Sequence, residues 1–300
     1  MREAARMLSD CMNKDRRLPS ISPLVTRSAP VNTVTPVTLV TLLVLLGLGA
    51  WSGCKQETPA GRDFAARNQE RGRQVVAEYL KRDASPYRKN RVRMTITSAT
   101  EPLKAYELEI WRKQTDAETL TQTHVVQPAD ESDLAALSVE RKGEPTINVT
   151  YASSMDQFRE TGTNKMFFGG LTAQELLGEW DKYDYSLVEE KELGGVKAYE
   201  VEGTLKPGTE SVIARTRTLF RADTYLPAEM HLFDSDGKEV RTFQVKAYRN
   251  VSGRDVIWLT EIENHLRPTK ITIETLSLDF PEKADDAIFT RDRLKQLSRK

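Results

Sequence analysis

Residues 219–243 read LFRADTYLPAEMHLFDSDGKEVRTF. Short runs in which apolar and polar residues alternate are cut by Tyr225-Leu226-Pro227 and then by Asp234-Ser235-Asp236-Gly237. A period of two sends successive side chains to opposite faces, so the runs 212–220, 228–233 and 240–248 read as half-buried strands. Pro, Asp and Gly between them are residues that reverse the chain, and the strands are expected to pair antiparallel.

The pattern continues in both directions. Downstream, 256–263 and 270–278 alternate in the same way, separated by turn chemistry at Ser252-Gly253 and Arg267-Pro268. Upstream, 196–205 follows a Gly194-Gly195 hairpin turn, and further strands are expected around 92–97, 106–111, 118–126, 137–141 and 146–151. So many strands in one chain curl rather than stay flat, because open sheets seldom exceed ~10 strands. The expected fold class is mainly β (α+β), a curved antiparallel sheet forming an open half-barrel with covering helices.

Two segments break the alternation. From Asp63, which suits a helix cap, Phe64, Val75, Val76, Tyr79 and Leu80 recur at helical intervals until Ser85-Pro86. The second is KMFFGGLTAQELLGEW at 165–180, in which Thr172 followed by Glu175 matches a capping box and predicts a short helix from Ala173. Met166, Phe167, Phe168 and Leu171 precede it around two glycines. They read either as a mobile hydrophobic lid or as a loop plugging the core.

The N-terminus reads as a targeting signal. Residues 1–33 are basic, and 37–51, VTLVTLLVLLGLGAW, carry no charge over fifteen residues. That is long enough for a secretory h-region and short for a membrane span of ~20 residues, the alternative being an uncleaved anchor. Cys54 follows Ser52-Gly53 and resembles the acylated cysteine of a bacterial lipobox, although Trp51 stands where an aliphatic residue is usual. The other reading is a secreted protein in which Cys54 is a spectator thiol. Acylation would tether the chain by several lipid tails without spanning. Lys55 after the cysteine, rather than Asp, points to the outer membrane. The expected organisation is signal and n-region 1–53, tether 54–62 and one domain 63–300.

Composition excludes several functions. Lys and Arg number 44, as do Asp and Glu, so there is no basic field for nucleic acid. His124, His231 and His265 fall on separate strands or strand ends without metal-ligand spacing, and no metal is expected. Aligning DSDGK with a calcium loop places Leu232 and Phe243 at ligand positions, so it is a hairpin turn. No nucleophile elbow or phosphate or dinucleotide loop occurs. No catalytic residue and no cofactor are expected, and the chain is read as a non-enzyme.

The stretches YEVEGTLKPG (199–208), LFRADTYLPAEMHLFDSDGKEVRTF (219–243), EIENHLRPTKITIETLSLDF (261–280), AIFTRDRL (287–294) and FFGGLTAQELL (167–177) resemble the outer-membrane lipoprotein-sorting (LolA/LolB-like) family. The resemblance implies a LolA/LolB/RseB-like half-barrel that binds acyl chains of lipoproteins or lipids in an apolar cavity. The implied partners are those acyl chains, the membrane through the anchor, and envelope transport machinery, in the periplasm. Candidate lining residues are the aromatics Trp111, Phe167, Phe168, Trp180, Phe233, Phe243 and Trp258, with Met166, Leu171 and Met230. Competing readings are an RseB-like envelope-stress regulator and a structural lipoprotein without a ligand.

Overall fold

The computed structural model describes residues 59–82, 85–100, 102–131, 134–141, 143–162, 171, 172, 175 and 180–298. Expectations for the signal segment, Cys54, Met166, Phe167 and Phe168 lie outside these residues.

Helix α1 (Pro59–Arg82) is followed by β1 (Tyr87–Ser98), β2 (Lys104–Gln114), β3 (Glu118–Gln127), β4 (Ala135–Arg141), β5 (Ile147–Ala152) and β6 (Gln157–Thr161). After a crossing segment come β7 (Tyr183–Leu193), β8 (Val196–Leu205), β9 (Arg215–Arg221), β10 (Pro227–Phe233), β11 (Glu239–Val251), β12 (Arg254–Asn264) and β13 (Thr269–Asp279), then a short helix α2 (Arg291–Leu297). Alternation located most of these strands correctly. It missed β6, whose QFRET has one apolar residue, and α2, whose seven residues carry only two leucines, Leu294 and Leu297. Helix α1 starts at Pro59 rather than Asp63, since proline suits a first turn whose amides lack partners anyway.

All thirteen strands form one antiparallel sheet in the order β6-β5-β4-β3-β2-β1-β13-β12-β11-β10-β9-β8-β7. Two meanders are thus zipped together where β1 pairs with β13, with Ile96 opposite Ile271 and Met94 opposite Ile273. Strands β6 and β7 are the two edges and do not pair, so the sheet is open. Bulges interrupt the register at Arg91/Val92, Leu187/Glu189, Leu232/Phe233 and Val245/Ala247, each adding bend and twist.

The edges are consecutive in sequence, so residues 162–182 must travel from one side of the sheet to the other. Within this stretch Leu171 is fully buried in one cluster with Met94, Ile262 and Ile271, on one face of the sheet.

Residues directly opposite in register share a face. The face crossed by Leu171 also receives α1: Val75 and Val76 pack with Tyr183, Tyr185, Val201 and Phe220. The register carries this face on to Ser138 and Asn148 of β4 and β5, where it turns polar. On the opposite face the apolar side appears there instead: Leu137, Val149 and Tyr151 pack with Phe289 and Leu294. The sheet thus changes its greasy side between β2 and β4, and α1 and α2 cover opposite faces at opposite ends. Thr290 caps α2 by accepting from the Arg293 amide at 3.2 Å, which holds Leu294 and Leu297 inward.

Helix α1 lies so close to β7 that only glycine fits at Gly72. A Cβ there would stand 2.7 Å from the backbone of Ser186. Gly72→Ala should therefore destabilise the fold by ~1–3 kcal/mol through overpacking, although alanine favours an isolated helix by ~1 kcal/mol. Urea unfolding of the two proteins checks the sign.

Candidate functional site

One row of register partners crosses eight strands on the α1 face: Leu187, Val201, Thr218, Met230, Phe243, Ile262, Ile271 and Ile96. Phe243 packs against both apolar clusters and makes them continuous. Thr218 is the row's one polar member. It is 2% exposed, and its hydroxyl has no hydrogen-bond partner.

Two residues nearer the sheet end bearing the β10–β11 and β12–β13 turns runs a second row, Tyr185, Gly203, Thr216, Leu232, Arg241, Asn264, Thr269 and Ser98. Its polar centre holds the crossing segment. Arg241 and Glu175, whose side chains are 5% and 4% exposed, form an ion pair at 3.2 Å. Arg241 also donates to Asn264 Oδ1 and to the Val240 carbonyl. Asn264 in turn organises the β12–β13 turn, accepting from the amides of Leu266 at 2.9 Å and Arg267 at 3.1 Å and donating to Thr269. Burial pulls the Arg241 pKa down against the opposing pull of Glu175; an arginine remains charged regardless.

Glu175 has a second task. One carboxylate oxygen accepts from the Thr172 amide at 2.6 Å and the Thr172 hydroxyl at 2.9 Å, while the Glu175 amide donates to that hydroxyl at 3.2 Å. This is the capping box expected from the sequence. Its extension to Arg241 was not anticipated. The available signal was parity, because Arg241 and Phe243 are two apart on one strand and so share the inward face.

The sequence-derived candidates divide between faces. Leu171, Met230 and Phe243 lie on the α1 face, as does Trp180, which meets Tyr79 edge-on at 5.1 Å and sits 6.0 Å from Phe220. Trp111 belongs to the α2 cluster, its ring beneath Lys89 at 4.9 Å. Phe233 also faces away, sandwiched by Arg215 at 3.9 Å and stacked on His231. Trp258 falls where the β11–β12 register slips and is covered by the Arg249 guanidinium at 4.1 Å. A single cavity cannot be lined by both sets.

The face opposite α1 is charged from β7 to β1. Glu202 bridges Arg215 and Arg217, Glu107 bridges Arg91 and Arg93, and Glu261 bridges Lys246 and Lys270. Pairs this exposed contribute at most ~1 kcal/mol each, and they set strand pairing more than stability. A polar groove of 430 Å³ opens there between Thr97, Gln244, Glu261, Glu263 and Lys270. Nearby, Glu239 accepts from the Thr242 hydroxyl at 2.6 Å and contacts His231 Nδ1 at 2.5 Å, and His265 Nε2 lies 2.8 Å from the same hydroxyl. Among the described residues no group of three or more His, Cys, Asp or Glu is placed to hold a metal ion.

Truncating one partner of the buried pair strands the other. Arg241→Met or Glu175→Gln should each cost ~3–5 kcal/mol, and the double variant Glu175→Met/Arg241→Met should lose clearly less than the sum in urea unfolding. Acid should weaken the fold through a different set of groups. Burial raises the Glu239 pKa, but Thr242 and His231 outweigh it and hold it below the ordinary carboxylate value, as Arg93 and Arg91 do for Glu107 and Lys270 for Glu261. Groups with lowered folded pKa values contribute stability above the unfolded value, ~4.3, and lose it as pH falls through the folded values. The urea midpoint should therefore decline on the acid side of that value, and less steeply in Glu239→Gln.

A family model described as "Uncharacterized protein" matches residues 116–296, more than half of the chain. No protein with a curated description matches. Among solved structures, a DUF1329 family protein from Desulfovibrio piger superposes with TM-score 0.70 at 19% identity, covering 76% of this chain and 99% of its own. An outer membrane lipoprotein-sorting protein domain from Vibrio parahaemolyticus gives 0.70 at 16% identity, over 76% and 100%. A LolA superfamily protein from Nitrosomonas europaea gives 0.61 at 12%, over 74% and 98%. The family model spans more than half of the chain and these structures superpose over nearly their full length, so the chain belongs to the family of that model and has the fold of the outer-membrane lipoprotein-sorting, LolA/LolB-like superfamily.

Proposed function

We propose that this protein is a lipid-anchored, non-catalytic periplasmic protein that binds acyl chains of lipoproteins or lipids on the α1 face of a half-barrel and serves lipoprotein sorting at the outer membrane. The observation that carries this reading is the apolar row from Leu187 to Ile96. Seven strand gaps make it about 34 Å long, comparable with the ~30 Å hydrocarbon core of a bilayer that two fatty tails fill end to end. A tail laid along it exchanges one dry surface for another. At ~0.8 kcal/mol per buried methylene, the protein competes with a membrane only by burying most of the tail, and the length of the row meets that demand.

In this reading the crossing segment is the lid. Leu171 closes on the central cluster while Glu175 and Arg241 fasten the polar side. Met166, Phe167 and Phe168 precede Leu171 in sequence and add apolar side chains to that segment, while Met230, Phe243 and Trp180 lie on the α1 face. Adaptable methionines suit a site that accepts chains of varied shape. Lifting the lid breaks or hydrates one buried ion pair, so a tail and the lid compete for the same face. Cys54 carries the anchor, and Lys55 directs the protein to the outer membrane. The LolA-like neighbours support a binding role over catalysis.

The mature protein, purified from an envelope fraction, should release fatty-acyl lipid or a lipoprotein on native mass spectrometry, and Phe168→Asp should release much less. A wild-type protein carrying no acyl ligand, and acquiring none from lipid vesicles, would overturn the binding role. Intact mass of the N-terminal peptide separately reads the acyl groups on Cys54.

A further inference from the structure

Thr218 breaks the chemistry of the row that the proposed function gives to an acyl chain. Its partners in register are Val201 and Met230, and Phe243 follows Met230. The residue is 2% exposed, and among the described residues nothing hydrogen-bonds to its hydroxyl. Valine has the same branched shape and strand preference without a polar atom. A hydroxyl buried without a partner is a net loss to the folded chain, so it becomes favourable only in a state that supplies the partner.

The position narrows what that partner is. On the β8 side, Val201 is packed under Val75 and Val76 of α1, whereas Met230 and Phe243 on the β11 side are only half-buried. A guest therefore reaches Thr218 along Met230 and Phe243. Neither arginine that α1 and β11 bring to this part of the face is spare: Arg241 is held by Glu175 and Asn264, and Arg71 donates to the Tyr199 hydroxyl at 3.0 Å. A free carboxylate brought to Thr218 would be buried without a counter-charge, which is costly. An ester carbonyl carries no charge and needs one donor, and a threonine hydroxyl is one.

The length of the row agrees. Three strand gaps lead from Thr218 to Ile262, about 14 Å, close to the ~15 Å half-thickness of a hydrocarbon core that one tail fills. Ile262 belongs to the cluster that buries Leu171, so the methyl end of such a tail falls under the segment read as the lid.

We propose, resting on the acyl-binding reading above, that the Thr218 hydroxyl donates to the carbonyl of an esterified acyl chain. It fixes the head of the chain at β9 and lays the tail along Met230 and Phe243 to Ile262. The face then selects acyl esters over free fatty acids, and the hydroxyl contributes nothing to binding a bare hydrocarbon.

The test titrates the mature protein with methyl palmitate, sodium palmitate and hexadecane, each displacing the uncharged dye Nile red at mildly alkaline pH. Thr218→Val should weaken methyl palmitate roughly three- to tenfold, the worth of one hydrogen bond, and leave hexadecane unchanged, while Thr218→Ser keeps the wild-type ester affinity. The urea midpoint of Thr218→Val should be at or above that of the wild type, since the empty protein loses no hydrogen bond. Methyl palmitate labelled with carbon-13 at the carbonyl should show, when bound to the wild type, the lowered stretching frequency of a hydrogen-bonded ester, a readout that decides even where a variant is destabilised. A stretch like that in alkane, an equal effect of Thr218→Val on ester and alkane, or palmitate bound as tightly as its ester overturns the assignment and leaves acyl binding standing. A wild-type protein that takes up none of the three removes the acyl-binding reading and this assignment with it.

Discussion

The buried pair between Glu175 and Arg241 is the interaction on which the rest of the structure turns. Between the two edge strands of this open thirteen-stranded sheet, which are neighbours in sequence, Leu171 and Glu175 are buried on one face. That segment must be held by something more specific than grease. A charge pair with side chains 4% and 5% exposed costs much desolvation and is a poor source of net stability, but it is selective in position because either charge alone is intolerable. Glu175 satisfies the Thr172 cap with one oxygen and Arg241 with the other, and Arg241 leads to Asn264 and the β12–β13 turn. Local helix start, lid position and turn conformation therefore share one network.

The apolar face beneath has a different logic. Its side chains interdigitate without direction, so Phe243 can belong to two clusters, and a row of Leu, Val, Met, Phe and Ile can accept several partners: α1 at one end, Leu171 in the centre, and in the proposed function a fatty tail. Keeping the polar row two residues from the apolar one places the selective contacts at the margin and the tolerant ones inside. The exchange of the greasy side between β2 and β4 then lets α2 finish the other face without covering the region crossed by Leu171.

Much of this was legible in residues alone. Strict alternation with Asp, Gly and Pro between runs located nearly every strand, because a period of two is a property of the backbone and needs no tertiary partner. The Thr172–Glu175 box was legible for the same reason, its hydrogen bonds spanning three residues. Edge β6 and helix α2 were not, since each is stabilised by what it packs on rather than by its own pattern. Phe64 and Leu80 matched the helical period yet lie exposed, because periodicity reports which side of a helix is apolar and not how far the sheet extends beneath it.

The sequence by itself determined strand positions, turns, the cap, and the resemblance to the lipoprotein-sorting family, all of which depend on neighbours a few residues apart. Only the tertiary structure decided which residues share a face. Trp111 and Phe233 read as well as Phe243 did, but register across adjacent strands sends them to the opposite side, and register is settled by bulges and pairing between residues up to 190 positions apart. The partner of Arg241 was hidden for the same reason: 66 residues separate it from Glu175, and only the crossing of the chain over the sheet brings the two charges together.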